Sequence, residues 1–275
     1  MLYLERTPAQ PLAEFVRMLW YARGADVAHS RERVLPTGRV QVILNLARDF
    51  LLDCPEGGPD RRMPPGLVIG ARSTYEIVDT SDMADLIGIV FEPGGFGIFA
   101  GDAVDLFSNC SVDLEAVWGG SACSLRDRLR ELMTPELRLR CLEDFLRTWI
   151  APRLTRHGPW QAPQVAFALQ AFESGADAAT VRDVARQIGW SERRLSQVFR
   201  ESVGFSPVVW RRLQRFQRAV QQLHAGADVP WVELALDCGF YDQSHFANEF
   251  KAFSGVDATT YSAGRTLWAN HIAVK

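Results

Sequence analysis

Two stretches near the C-terminal end of the chain follow one pattern: Val181–Arg200 (VRDVARQIGWSERRLSQVFR) and Val232–Lys251 (VELALDCGFYDQSHFANEFK). Ala185 and Gly189 recur 50 residues later. Beyond the following turn the offset becomes 51, because the second turn contains one extra residue, and the matched pairs are Ser191/Asp242, Leu195/Phe246, Phe199/Phe250, Gly204/Gly255 and Trp210/Tyr261. An internal repeat of this kind indicates one supersecondary unit that is present twice.

Each copy has the pattern of a helix-turn-helix unit. The small alanine lets a second helix cross closely, and the glycine ends the first helix with left-handed backbone. Ser191 or Asp242 then caps the second helix. With Leu195 and Phe199 (or Phe246 and Phe250) turned inward, helical geometry predicts a polar outer face: Arg193, Arg194, Gln197 and Arg200 in the first copy, and Ser244, His245, Asn248 and Lys251 in the second. Such a stripe is what the major groove of DNA accepts.

On these residues, the stretch from about 165 to 265 resembles the DNA-binding domain of AraC-family transcription regulators. The resemblance implies two helix-turn-helix units on successive major grooves of one DNA face, joined by a long helix from Pro207 to His224. It places base contacts at Arg193, Ser196 and Gln197, and at Ser244, His245 and Asn248. Arg193 could donate to guanine, and Gln197 and Asn248 could pair with adenine. The predicted DNA-binding residues are Arg193, Arg194, Ser196, Gln197, Arg200, Gln243, Ser244, His245, Asn248 and Lys251.

The second unit departs from the family pattern. The family ends this unit with Gly-x-Ser-Pro-x-x-Tyr-Arg, whereas residues 255–262 here read GVDATTYS. Asp242 and Glu249 also place carboxylates near the expected DNA face, where they would repel phosphates. The second unit is therefore expected to bind DNA weakly or to select cytosine-rich steps. The alternative function is a ligand-binding or protein-interaction module whose degenerate second unit no longer contacts bases.

The overall charge gives a misleading first indication. A formal net charge of −3 argues against a nucleic-acid binder. The charge is unevenly distributed, however, because residues 182–218 carry nine arginines against three acids, and residues 228–257 carry one lysine against six acids. Counterion release depends on the local patch, so we expect the first unit to hold the DNA.

The fold class predicted for the whole chain is α+β. Short β-prone segments separated by Pro/Gly breaks predict a β-rich region to about residue 110, a small barrel or sandwich, with one early helix indicated by Leu12, Phe15, Val16 and Leu19. A helical hairpin over 121–151 follows. Its outer faces, which carry Arg126, Arg128, Arg130, Arg138 and Arg140 interleaved with acids, are either solvated or a dimerisation surface. The expected domains are 1–157 (sensory or dimerisation), a linker at 158–163, and 164–266 (DNA binding).

The N-terminal half resembles an uncharacterised domain found ahead of this DNA-binding module in some AraC-like regulators. The matching signatures are Leu35–Val40, Ile69–Arg72 and Leu86–Gly95. By analogy with the family, a cupin-like barrel that binds an effector is expected. Trp20, Tyr21, Tyr75, Phe91, Phe96 and Phe99 could line its pocket or form its core.

Enzyme chemistry is not expected. Only His29 and His157 lie in the N-terminal half, no nucleotide-binding loop is present, and none of the five cysteines forms a C-x-x-C pair. Cys238 is either a core residue or a redox sensor. No cofactor and no metal are predicted, and no signal peptide or membrane span is visible, so the cytoplasm is the expected location. The predicted partner is double-stranded DNA, with RNA polymerase, a small-molecule effector and a second copy of the chain in a homodimer as further partners.

Overall fold

The computed structural model describes residues 2–24, 29–80, 84–154, 163–173, 179–226 and 230–274. The predicted α+β class is confirmed, with a β-rich N-terminal part that includes a helical hairpin, followed by a helical region. Most of the linker predicted at 158–163 lies outside the described residues. Among the described residues, no helix is both long enough and apolar enough to cross a membrane.

The strands form two antiparallel sheets. The six-stranded sheet has the spatial order β1 (Leu2–Arg6), β2 (Val16–Arg23), β9 (Leu86–Phe91), β4 (Gln41–Asn45), β7 (Gly66–Ile69) and β10 (Ser111–Asp113). The five-stranded sheet has the order β11 (His271–Val274), β3 (Arg31–Val34), β8 (Glu76–Asp79), β5 (Leu51–Asp53) and β6 (Arg61–Met63). Strand β11 comes from the C-terminal end of the chain, beyond the predicted DNA-binding domain.

The early helix predicted from Leu12, Phe15, Val16 and Leu19 is wrong. The structure has a short 3-10 turn at Leu12–Glu14 instead, and Val16 already begins β2. Between Val16 and Met18 the register of β2 against β9 shifts, as at a β-bulge. A bulge inserts one residue and breaks the strict alternation of a strand, so the buried positions of β2 fall at a spacing that imitates a helix.

Among its described residues, the N-terminal part also contains the helices α1 (Gly97–Ala100), α2 (Leu114–Trp118), α3 (Gly120–Glu131) and α4 (Pro135–Ile150). Two arginines assigned to the outer face of the α3–α4 hairpin point inward instead. Arg126 is buried and donates to the carbonyl of Asn45 at 2.7 Å. Arg138 lies 2.9 Å from both carboxylate oxygens of Asp85. These two arginines therefore fasten the hairpin to the six-stranded sheet.

Several of the predicted aromatic candidates belong to the core. Tyr21, Phe91, Phe96 and Phe99 are fully or almost fully buried, whereas Trp20 and Tyr75 are half-buried. The ring of Phe91 contacts those of Phe96 and Phe99, with centroids 5.0 and 5.1 Å apart. These aromatic contacts join β9 to α1.

The helical region contains α5 (Pro163–Glu173), α6 (Val181–Gln187), α7 (Glu192–Val203), α8 (Pro207–His224), α9 (Trp231–Asp237), α10 (Gln243–Ser254) and α11 (Ala258–Ala263). Unit one is built on α6 and α7, unit two on α9 and α10, and α8 joins them. Trp210 packs in the core of unit one, and its repeat partner Tyr261 is buried in unit two. Cys238 is also buried, and burial raises the pKa of its thiol to about 11, which favours the structural role over the redox one.

The N-terminal part packs directly against both units. Gly38 lies against the side chains of Trp210 and Leu213 on α8. Gln217 donates to the carbonyl of Pro36 at 2.8 Å. Strand β11 pairs with β3 along its whole length, with Ile272 opposite Arg33. Contacts from the middle and from the end of the helical region thus fix it to the β-rich part.

Candidate nucleic-acid interface

Local sequence signals build unit one. Thr180 caps α6 by accepting a hydrogen bond from the backbone N–H of Asp183, and Ser191 caps α7 through the N–H of Arg194. Between the two helices Gly189 has a φ of +72°, the left-handed conformation that the turn requires. Leu195 on α7 is fully buried, so the helix is held by its apolar side.

The predicted contact residues of unit one lie on the outer side of α7. Arg193, Arg194, Gln197 and Arg200 are exposed, and Ser196 is half-buried. The guanidinium of Arg194 stacks 4.8 Å from the ring centroid of Trp190, while Gln197 donates to Glu201 at 3.0 Å. Arg193 projects near the N-terminal end of α7, the part of a recognition helix that contacts base edges. This surface combines guanidinium and amide groups that can donate to guanine and pair with adenine.

One of these residues is engaged by the N-terminal part. Arg200, near the C-terminal end of α7, forms an ion pair with Asp105, which lies in a 3-10 turn at Val104–Phe107. Ser108, just after that turn, donates to the carbonyl of Gly204 at 2.6 Å. The C-terminal end of α7 is therefore in contact with the β-rich part.

Unit two repeats the architecture of unit one. Gly239 has a φ of +84°, and Asp242 caps α10 by accepting from the backbone N–H of His245 at 2.7 Å. The predicted residues Gln243, Ser244, Asn248 and Lys251 are exposed. His245 is half-buried, and its Nδ1 accepts from the backbone N–H of Tyr241 at 3.3 Å. The imidazole is therefore already oriented by the turn that precedes the helix.

Three carboxylates of unit two, those of Asp242, Glu249 and Asp257, have local partners. Glu249 receives two hydrogen bonds from Arg212 of α8, at 2.8 and 2.7 Å. These hydrogen bonds lower the pKa of Glu249 more than its partial burial raises it. Asp242 and Asp257 serve as helix caps, and Asp257 takes the position at the start of α11 that Ser206 has at the start of α8. These acids stabilise unit two itself, which weakens the argument that they repel DNA.

The sequence analysis did not single out Tyr241. This residue is the insertion in the second turn, and its side chain is 84% exposed beside the first turn of α10. The change of repeat offset from 50 to 51 was the signal that could have drawn attention to it. Among the described residues, no group of three or more His, Cys, Asp or Glu side chains is placed to hold a metal ion.

Comparisons with known proteins assign two regions of the chain. A family model described as "Helix-turn-helix domain" matches residues 184–264. A second model, described as "Domain of unknown function (DUF6597)", matches residues 4–113. The first match includes α7 and α10, and the second ends at β10.

The helical region also matches curated and solved proteins. The Arabinose operon regulatory protein of Escherichia coli (strain K12) is 33% identical over 95 residues, which are 34% of this chain and 32% of that protein. The HTH-type transcriptional activator AarP of Providencia stuartii is 30% identical over 84 residues, which are 30% of this chain and 62% of that protein. The solved C-terminal domain of AraT, a response regulator from Geobacillus stearothermophilus, is 26% identical with a TM-score of 0.36, covering 39% of this chain and 89% of that one.

These matches are regional. The chain covers 32% of the length of the E. coli arabinose regulator, and the aligned part is limited to 34% of this chain. Within that limit, the C-terminal region is an AraC-type helix-turn-helix domain, homologous to arabinose operon regulators.

Proposed function

We propose that this chain is a sequence-specific, DNA-binding transcription regulator in which α7 and α10 are the recognition helices. The observation that carries the proposal is the repeat itself. Two capped helices, each preceded by a left-handed glycine, present polar side chains outward and are joined by the single helix α8. That arrangement suits two successive major grooves on one face of DNA.

The roles of the contact residues follow from their chemistry. Arg193 would donate to guanine O6 and N7, and Gln197 and Asn248 would pair with adenine N6 and N7. Arg194, Arg200 and Lys251 would bind phosphates. The remaining members of the set, Ser196, Gln243, Ser244 and His245, would donate or accept at base edges or the backbone. Because Glu249 is paired with Arg212 and Asp242 caps α10, we assign base contacts to both units.

The β-rich part would regulate this DNA-binding surface. Its contacts reach α7 through Asp105 and Ser108, and α8 through Gly38, so a change in its conformation alters how the recognition helices are presented. Such a regulator would be a homodimer, would act in the cytoplasm where it meets DNA and RNA polymerase, and would respond to a small-molecule effector.

A cavity of about 100 Å³ between the two sheets is the place where we would put a small effector. Its walls are mostly apolar and include Ile43, Leu67 and Leu86. At its polar side, Glu76 forms an ion pair with Arg72 at 2.7 Å, and burial raises the pKa of the Glu76 carboxyl. An apolar cavity with a few convergent polar groups is the usual form of a small-molecule site.

Selection of bound sequences from random duplex DNA by the full chain tests the proposal. We expect an enriched site with two elements about one helical turn apart, on the order of 10 base pairs, and affinity that falls steeply with salt. If no sequence is enriched and the chain retains no DNA at about 50 mM salt, the proposal is rejected in favour of a ligand-binding or interaction module.

A further inference from the structure

The joining helix α8 carries a row of arginines on one side. Its 18 residues include four arginines and no acidic residue. Arg211, Arg215 and Arg218 follow one another at spacings of four and three, so they lie along one face of the helix. This face is called the arginine row below.

Two other sides of α8 face the β-rich part and unit two. Trp210 and Leu213 contact Gly38 of the β-rich part, and Gln217 donates to the carbonyl of Pro36. Arg212, on the side toward unit two, is bound to Glu249 of α10. Successive residues of an α-helix are about 100° apart around its axis. The arginine row is therefore on a different side of α8 from Trp210, Leu213 and Gln217, and it points away from the β-rich part.

The arginine row is a concentration of positive charge. Burial lowers the pKa of the Arg215 guanidinium, and the neighbouring Arg211 and Arg218 lower it further, against a raising effect of Glu249. The Nε of Arg215 is buried, and no described residue accepts a hydrogen bond from it. Arg218 donates to the backbone carbonyl of Cys238 at 3.2 Å. Neighbouring guanidinium groups repel one another unless an anion lies between or beside them.

The position of the row fits one anion in particular. A helix of 18 residues is about 27 Å long, and adjacent major grooves lie about 34 Å apart. If α7 and α10 occupy successive major grooves, the minor groove between those grooves passes beneath the joining helix. The two sugar-phosphate strands come close together across a minor groove, which strengthens its negative potential.

We propose that Arg211, Arg215 and Arg218 bind the phosphates that flank the minor groove between the two major grooves contacted by α7 and α10. This inference rests on the proposed DNA-binding function and adds to it a third contact region, in the joining helix. The contact is independent of base sequence, because phosphates are the same at every step. It fixes the spacing and orientation of the two units on the DNA.

The test measures affinity against salt concentration for the full chain on its selected duplex. We expect Arg215→Gln and Arg218→Gln each to reduce the slope of log affinity against log salt by about 1, and the double variant by about 2. At 0.1 M salt this corresponds to about 8-fold weaker binding for each lost contact, equal on matched and mismatched duplexes. Arg140→Gln, an exposed arginine on α4, is the control with the same charge change and should leave the slope unchanged.

A second measurement has a wild-type arm that does not depend on how a variant folds. Methylphosphonate linkages, which carry no charge, replace the phosphates beside the central minor groove. The wild-type chain should bind this duplex more weakly than the unmodified duplex. The double variant should bind the two duplexes with similar affinity, because it already lacks the contact, as in a double-mutant cycle.

The outcomes separate the two proposals. If the wild-type chain does not bind DNA, the proposed function fails, and the inference with it. If the chain binds but neither the variants nor the uncharged linkages change the salt slope, the arginine row makes no phosphate contact, and only this inference is overturned.

Discussion

The Nε atom of Arg200 lies 3.0 Å from Oδ2 of Asp105, so a side chain of α7 is bound by the β-rich part of the same chain. Under the proposed function, Asp105 would compete with a DNA phosphate for this guanidinium. If α7 binds DNA as proposed, this contact would link the state of the N-terminal part to the availability of Arg200, because Arg200 cannot bind both anions with the same hydrogen-bonding atoms.

Replacing Asp105 with asparagine should free Arg200. Exposed or partly exposed ion pairs are worth about 0.2–1 kcal/mol, so we expect Asp105→Asn to tighten DNA binding by about 1.5- to 5-fold in the full chain. The measurement is a fluorescence-anisotropy titration at fixed salt. Asp102→Asn, an exposed acid three residues away, removes the same charge without touching Arg200. An equal gain in both variants would mean that general repulsion, not the ion pair, is responsible.

Arg193→Ala should relax discrimination at a single base pair. Loss of a bidentate contact to guanine costs about 1–3 kcal/mol on the preferred sequence and little on a duplex substituted at that position. Competition assays with duplexes that differ at one base pair measure the difference. Uniform weakening on every duplex would instead identify Arg193 as a phosphate contact.

Asn248→Ala tests whether unit two contacts bases. Because Glu249 is bound to Arg212 and Asp242 caps α10, we expect Asn248 to discriminate by about 1–3 kcal/mol at one position of the second half of the site. The same set of substituted duplexes provides the measurement. Unchanged specificity in this variant would support a second unit that has lost base recognition.

Gly38→Ala should disturb the junction between the β-rich part and α8. The new Cβ would lie 2.6 Å from Leu213 Cδ2 and 2.9 Å from Trp210 Cζ3, and the backbone is left-handed with φ +73°. We expect overpacking to lower the unfolding free energy by about 1–3 kcal/mol, in addition to the loss caused by placing alanine in a left-handed backbone conformation.

Gly57→Ala is the matched control for this substitution, since Gly57 has a φ of +74° and nothing within 4 Å. Thermal unfolding of the two variants separates strain in the backbone from strain at the junction. Equal losses in unfolding free energy would show that the contact with α8 contributes nothing.

The buried carboxylate of Glu32 predicts a pH dependence. Burial raises the pKa of Glu32, but hydrogen bonds from His271 and His29 together lower it below its usual value. A lowered folded-state pKa stabilises the chain above the ordinary glutamate pKa of about 4.3, and this contribution is lost as the pH falls through the folded-state value.

We therefore expect Glu32→Gln to lower the unfolding free energy by about 1–3 kcal/mol at pH 7, and the difference from wild type to shrink as the pH falls below about 4. Denaturant titrations at several pH values provide the measurement, with Glu131→Gln, an exposed acid at the end of α3, as the control. A difference that stays constant from pH 7 to pH 3 would contradict the assigned role of the carboxylate.

The sequence by itself determined the two helix-turn-helix units. Their caps, left-handed glycines and inward apolar residues are local signals, each of which acts within a few residues along the chain. The sequence therefore predicts the cap at Ser191, the left-handed turn at Gly189 and the buried position of Leu195. The pattern is specific because it recurs at Asp242, Gly239 and Phe246. The exposed side of each recognition helix follows from the same geometry.

Only the tertiary structure decided the contacts between distant parts of the chain. His271 meets Glu32 across 239 residues, and Arg200 meets Asp105 of the β-rich part. The bulge that gives β2 an apparent helical spacing likewise depends on pairing with β9. Packing over the whole molecule determines which strands pair and which charged groups form ion pairs. A local pattern of residues does not specify which distant group will lie beside a given residue.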